Sequence, residues 1–225
     1  MNDIHPTAII DSSVILGKGN KILPYTIIYG PTEIGDDNII GPNVVIGTPG
    51  QDTRNPRYDS SKAFIKIGDR NIIREFTSIQ KPCYENITEI GNDVYIMASI
   101  HIPHDAQIKN KVVITPMCSL AGLTRILEGA NLGMGSTISQ YCIIGHYSIV
   151  AMGSAVMKNV KPFSRYIPGK PNSINKYAIS KYSFENLYDE IAAYVLDNIM
   201  PTTLKLKQIV DEFEREHLAS KKELY

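Results

Sequence analysis

Ile96-Met97-Ala98-Ser99-Ile100-His101-Ile102-Pro103-His104-Asp105-Ala106-Gln107-Ile108 carries an aliphatic residue at every sixth position, and this spacing decides the fold. Stepping by six gives Ile90 in one direction and Ile114, Leu120, Ile126, Leu132, Ile138, Ile144, Val150 and Val156 in the other. The same step from Ile4 gives Ile10, Leu16, Ile22, Ile28, Ile34, Ile40 and Ile46, and a third register holds Ile67, Ile73 and Ile79. An amphipathic helix needs apolar residues about 3.6 apart and a half-buried strand needs alternation, so neither explains the pattern. A period of six fits short strands joined by turns, each sending one aliphatic side chain into a narrow prism. Three hexads make one triangular coil of about 18 residues, stacked on its neighbours by parallel pairing as in other solenoids.

Two further positions of the hexad agree. Glycine often follows the aliphatic residue, as at Gly17, Gly35, Gly41, Gly47, Gly68, Gly91, Gly133 and Gly145. There it permits positive φ or close backbone approach at a corner. The fifth position is often small, as at Ala8, Thr26, Thr77, Ala106, Cys118, Ala130 and Cys142, which suits a tight interior.

The repeat breaks twice before it ends. Ile46 to Ile67 reads as one coil plus three residues, and the polar, turn-rich stretch between them predicts an excursion loop over 48–64. Such loops on rigid supports often carry binding residues. Ile79 to Ile90 falls one residue short of two hexads, so Lys81 to Asn86 is a second irregular piece. After Val156 the character changes, and Pro168-Gly169-Lys170-Pro171 closes the repeat. The expected division is a β-helix over 1–168 and a small α-helical region over 169–225. In that region Ser183 is the expected cap of a helix with Leu187, Ile191, Tyr194, Val195 and Ile199 on its apolar face. After Pro201, Thr202 or Thr203 is the expected cap of a second, with Leu204, Ile209, Val210, Phe213 and Leu218 as its stripe.

Charge excludes some functions. The 225 residues carry 23 basic and 23 acidic side chains, a balance that suits neither a nucleic-acid binder nor a membrane-surface protein. No apolar run is long enough to cross a bilayer. The N-terminus shows no basic region followed by an apolar stretch, which predicts no secretory signal. Cys83, Cys118 and Cys142 make an odd count without a Cys-x-x-Cys pair, which points to a reducing, cytoplasmic setting and small buried side chains.

Candidate chemistry begins at His104-Asp105, a polar pair between aliphatic anchors. Imidazole titrates near neutrality and can move a proton. One coil further lies Gly122, and one beyond that Gln140, so stacking brings a bare amide beside the histidine. A base next to such a donor is the minimum apparatus for acyl transfer. Independently, no Asp or Glu occurs from Gly129 to Phe184, a stretch that holds Lys158, Lys161, Arg165, Lys170, Lys176 and Lys181. This patch suits the phosphates of coenzyme A or an acidic carrier protein, unless acidic residues of the C-terminal helices balance it.

The chain resembles the acyl-acyl-carrier-protein UDP-N-acetylglucosamine O-acyltransferases, left-handed β-helix trimers that begin lipid A synthesis. The likeness runs from about Ile4 to Gly169 and is carried by Ile4-His5-Pro6-Thr7-Ala8-Ile9, Ile67-Gly68-Asp69-Arg70-Asn71-Ile72-Ile73-Arg74-Glu75, His101-Ile102-Pro103-His104-Asp105, Leu120-Ala121-Gly122 and Gln140-Tyr141-Cys142-Ile143-Ile144-Gly145. The resemblance implies a left-handed coil, a homotrimer and an active site between subunits. It implies His104 as general base, Asp105 as its orienting partner and Gly122 as oxyanion donor. It further implies that His101, Asp52 and Gln140 contact a sugar nucleotide, with Arg54 where the family has a lysine near the phosphates. No permanently bound cofactor is implied; the co-substrate would be acyl-carrier protein, through its phosphopantetheine, or a coenzyme A thioester. Departures accompany these matches. Leu123, Ser139 and Gln80 stand where the family has histidines, the N-terminal part is one coil shorter, and the family's basic Lys-Arg-Arg run has no counterpart after Tyr177. Kept chemistry with a changed acceptor, donor or both is the expectation.

Two other functions fit a hexapeptide repeat. One is a catalytically silent binding or assembly scaffold. The other is a metal-dependent hydrolase of the carbonic-anhydrase kind, which needs three histidine ligands. His146 lies off the columns of His101 and His104, so no metal site is expected.

Overall fold

The aliphatic sixth residues become the three inner walls of a prism. The computed structural model describes residues 1–52 and 63–225 of the chain. Among the described residues, strands of two to four residues stack into walls of 10, 8 and 7 strands, parallel except for Ser173–Ile174 at the end of the first wall. The coil is left-handed. Hexad spacing sets the register: Ile4 lies beside Ile22, Ile10 beside Ile28, and Ile96 beside Ile114. The inward aliphatics are sealed, with Ile28, Ile40, Ile73, Ile102 and Ile144 all at 0% exposure. Each such burial contributes roughly 1.5–3 kcal/mol, and the stacked column is the main support of the fold.

Corners repeat as faithfully as walls. The residue three after the inward aliphatic adopts the left-handed conformation at Tyr25, Asn43, Arg70, Ser99, Asp105, Leu123 and Tyr141, with φ between 53° and 64°. Non-glycine residues reach this region at a cost of roughly 1–2 kcal/mol, which the packing of each coil on the next offsets. The glycine that follows the aliphatic residue serves mostly for close approach. A Cβ on Gly35 would sit 2.9 Å from the Gly68 carbonyl of the next coil. Buried Asn20, Asn38 and Asn71 add a ladder, each side-chain oxygen accepting from the amide one coil on, at 2.8–2.9 Å.

Both breaks are larger and simpler than spacing alone indicates. Ile34 pairs with Ile67, so this coil spans 33 residues where the coil before it spans 18, and fifteen residues are inserted rather than three. The next coil spans 23, because Ile67 pairs with Ile90, so the step from Ile79 to Ile90 is one hexad with five added residues, which fall within Lys81 to Asn86. Counting from aliphatic to aliphatic hides this, since a missing wall residue and an inserted loop give the same interval. Both insertions leave at one corner, between the second and third walls.

The C-terminal region departs further from expectation. Helix α1 (Lys176–Lys181) precedes the two expected helices and is capped by Asn175, whose side chain accepts from the Ala178 amide. Ser183 is not a cap; it lies in the turn after α1 with φ 57°. A 3-10 turn at Glu185–Leu187 leads into α2 (Tyr188–Asp197), which buries Ile191, Tyr194 and Val195 while Ile199 stays exposed. Helix α3 (Leu204–Ser220) follows Thr203, whose amide and hydroxyl donate to Glu190. Its buried stripe is Leu206, Val210 and Phe213; Leu204 and Leu218 face outward. Phe213 seats α3 on Leu127 and Ile143, which project from the outer face of the third wall. Tyr225 then returns to the end of the prism, where its hydroxyl donates to the Ile167 carbonyl.

Candidate active site

His104, Gly122 and Gln140 occupy the same corner in three successive coils, the corner where both insertions emerge. Strand His101–Ile102 belongs to the second wall and Gln107–Ile108 to the third, with His104 in the turn between them. The stacking is recorded by the Leu123 amide donating to the His104 carbonyl at 3.2 Å and the Tyr141 amide to Gly122 at 3.3 Å. The imidazole of His104 lies across Gly122, where a Cβ would come within 2.6 Å of Nε2. The amides on either side, of Ala121 and Leu123, are used by the coil ladder; that of Gly122 enters no backbone hydrogen bond among the described residues.

Behind His104, Nδ1 is 2.8 Å from the carboxylate of Asp105. Asp105 is fully buried, and the amides of Cys83, Tyr84 and Glu85 converge on its oxygens at 2.7–3.2 Å. Burial alone would raise its pKa. The hydrogen bonds from His104 and from the three amides outweigh that and hold the carboxyl below its usual range. Ionised at neutral pH, Asp105 accepts the Nδ1 proton, which leaves the Nε2 lone pair for the cleft. His101 is held by Ser78, whose hydroxyl lies 2.9 Å from Nδ1. Burial, and secondarily the nearby His104, push the His101 pKa down, so this ring is neutral near pH 7. The Tyr84 hydroxyl donates to Asp52, and the Tyr84 ring lies 5.7 Å from His104.

His101 and His104 line one cleft of about 620 Å³, bounded also by Gln51, Asp52, Gln80, Pro103, Ser119, Gly122 and Gln140. The expected residues Asp52, His101, His104, Gly122 and Gln140 are thus brought together, with Asp105 directly behind. Arg54 lies outside the described residues. Gln80 borders the cleft at 5% exposure, and its side-chain oxygen is buried with no hydrogen-bond partner among the described residues. Ser119 escaped sequence reasoning although it pairs with His101 one coil away. The 83–85 amides carried no side-chain signal at all.

The basic patch is not one surface. Lys161 is buried, and its ammonium reaches the Tyr194 carbonyl and Asn198 inside the helical region, so it cannot meet a donor. Removal from water lowers its pKa. Lys158 pairs with Glu223 at 2.7 Å, the balancing by C-terminal acids that spacing left open. Arg165 and Lys170 are exposed. Arg165 borders a separate cavity of about 490 Å³ with Lys176 and Tyr177, beside the first wall, and none of the six patch residues lines the His104 cleft. His146 sits under α3 with Nε2 3.2 Å from Glu212, apart from His101 and His104. Among the described residues, no three His, Cys, Asp or Glu side chains are grouped to hold a metal, and no helix is long and apolar enough to cross a membrane.

Comparison with known proteins follows the same lines. Residues 4–48 match the family described as bacterial transferase hexapeptide (six repeats). An acyl-acyl-carrier-protein UDP-N-acetylglucosamine O-acyltransferase of Herminiimonas arsenicoxydans is 34% identical over 199 residues, covering 77% of this chain and 74% of that protein. One from Thermodesulfovibrio yellowstonii is 30% identical over 217 residues, covering 95% and 83%. The crystal structure of a UDP-N-acetylglucosamine acyltransferase from Bacteroides fragilis shares the fold, with a TM-score of 0.78 over 99% of each chain at 22% identity. Because relatives 34% and 30% identical cover 77% and 95% of this chain and 74% and 83% of their own length, the chain belongs to the acyl-acyl-carrier-protein UDP-N-acetylglucosamine O-acyltransferase family.

Proposed function

We propose that this protein transfers an acyl group from a thioester of acyl-carrier protein or coenzyme A to a hydroxyl or amino group of a nucleotide-activated sugar such as UDP-N-acetylglucosamine. The observation that carries the reading is the Asp105–His104–Gly122 stack, an oriented base with a bare amide one coil away. His104 Nε2 takes the proton of the acceptor group as it attacks the thioester carbonyl. The oxyanion of the tetrahedral adduct accepts from the Gly122 amide. Collapse breaks the C–S bond, and the departing thiolate receives the proton held by His104. No serine or cysteine nucleophile is needed, since the acceptor attacks the thioester carbonyl directly; burial, then Asp105, raises the pKa of Cys83 and disfavours its thiolate. Asp52, His101 and Gln140 are proposed to hold the sugar nucleotide, and Arg54 its phosphates. Arg165 and Lys170 are proposed to draw in the donor.

A homotrimer in the cytoplasm completes the proposal. Ile39 and Ile72 are exposed on the first wall, and Phe76, Met117 and Met152 at its corner, an apolar strip that another subunit would cover. Light scattering is expected to give three times 25.0 kDa.

The test is thiol release from acyl-thioesters across a panel of UDP- and dTDP-amino sugars. Wild type is expected to release thiol with at least one acceptor, and His104→Ala to lose that activity. Equal, slow release by both across the panel overturns the reading.

A further inference from the structure

We propose that Arg125, acting through Glu85, is a positioning residue that aims the Asp105–His104 pair. Arg125 opens the strand Arg125–Ile126 of the third wall, one coil on from Gln107. Its side chain is only 13% exposed. From there the guanidinium reaches both sides of one small structure. Nη1 donates to the main-chain carbonyl of Asp105 at 2.8 Å, and Nη2 binds the carboxylate of Glu85. Glu85 in turn donates its amide to the carboxylate of Asp105 at 2.7 Å. The contacts close a ring: Asp105 carbonyl, Arg125, Glu85, Asp105 carboxylate.

The ring matters because nothing periodic holds these parts. Asp105 sits in the left-handed region, with φ 62°, where the backbone needs support. The three amides that grip its carboxylate belong to the five-residue insertion, which takes no place in a wall. A concave run of consecutive amides makes a strong anion cradle only while its backbone is held in that shape. Arg125 ties this insertion to the wall through the Glu85 carboxylate. Gln107 Nε2 reaches the same Glu85 carboxylate at 3.4 Å, and Glu216 of α3 approaches Arg125 at 4.0 Å. The C-terminal helix is therefore connected, through one side chain, to the corner that aims His104.

A first measurement does not depend on the proposed reaction. The Nδ1–H of His104, bonded to Asp105, should give a downfield proton resonance, assigned by its loss in His104→Ala. Arg125→Leu and Glu85→Gln are each expected to shift or broaden it while the protein stays folded by circular dichroism. The second measurement rests on the acyl-transfer reading. Each variant should lower kcat about ten-fold or more and leave KM for the sugar nucleotide within about two-fold. The double variant should be no worse than about two-fold below the poorer single one, because both act through one bond. If Arg125→Leu does not fold, the milder Glu85→Gln decides. An unchanged resonance, or folded variants with wild-type kcat, overturns the inference. A wild type with no transferase activity sinks the proposed function instead, and the resonance still judges Arg125.

Discussion

The imidazole of His104 rests on Gly122, close enough that a Cβ at Gly122 would lie 2.6 Å from Nε2 and 2.9 Å from Nδ1. The glycine is required here by proximity, since its φ is not among the positive values of the chain. Gly122→Ala should therefore push the ring off its line to the cleft without straining the backbone. Transfer activity is expected to fall about 100-fold, equivalent to roughly 2.7 kcal/mol of lost transition-state stabilisation. The melting temperature should move far less. Steady-state kinetics beside thermal unfolding checks this; near-wild-type activity would show that the bare Cα has no catalytic purpose.

His101 supplies a pH prediction. Its folded pKa lies below the ordinary 6.5 because burial, then His104, disfavours the charged ring. Between those two values the unfolded chain binds a proton that the folded chain refuses, so this contribution to stability is intact above pH 6.5 and declines as pH falls through the folded pKa. The titratable groups that face His101 around the cleft are His104, Asp52, Asp105 and Tyr84. NMR titration of His101 should give a midpoint under 6.5. His101→Gln should flatten the loss of melting temperature between pH 6.5 and the midpoint, and an unaltered slope would refute the assignment.

Gln80 carries a buried oxygen without a partner among the described residues, beside the cleft. Such an acceptor is costly until something donates to it. When the Gln80 side chain turns toward the cleft, an O–H or N–H of the bound sugar nucleotide is the expected donor. Gln80→Leu should then raise KM for that substrate about ten-fold, the worth of one hydrogen bond. It should also leave the free protein as stable as wild type or more so, because an unsatisfied group is removed. Equal KM for variant and wild type, with kcat unchanged, ends the idea.

Phe213 is fully buried between α3 and the third wall, against Leu127 and Ile143. Truncation to alanine leaves a large cavity, for which roughly 3–5 kcal/mol of destabilisation is expected. Because Glu216 lies one turn further along α3 and near Arg125, activity should fall before the β-helix unfolds. Denaturant unfolding followed by circular dichroism, with activity measured at each point, separates the two events. Coincident loss at wild-type midpoint would mean that α3 is not seated by Phe213.

Much of the site was legible along the chain because a solenoid copies its own geometry. A separation of one coil along the sequence becomes direct contact, as it does for His104 and Gly122 or Ser119 and His101. The same rule read the walls, the interior aliphatics and the buried Cys118 and Cys142. It failed wherever chain left the repeat. Spacing undercounts the insertions, Ser183 lies in a turn where composition predicts a cap, and Lys161, one of a run of basic residues, points inward to Asn198.

Periodicity alone therefore determined the prism, its register and the column that stacks a base on a bare amide, because each coil is built on the one before. Tertiary structure decided what surrounds that column. The 83–85 amides, the Arg125 clamp and the docking of α3 join residues with no common period, and contacts of that kind depend on how non-repeating chain folds back, which no interval along the sequence records.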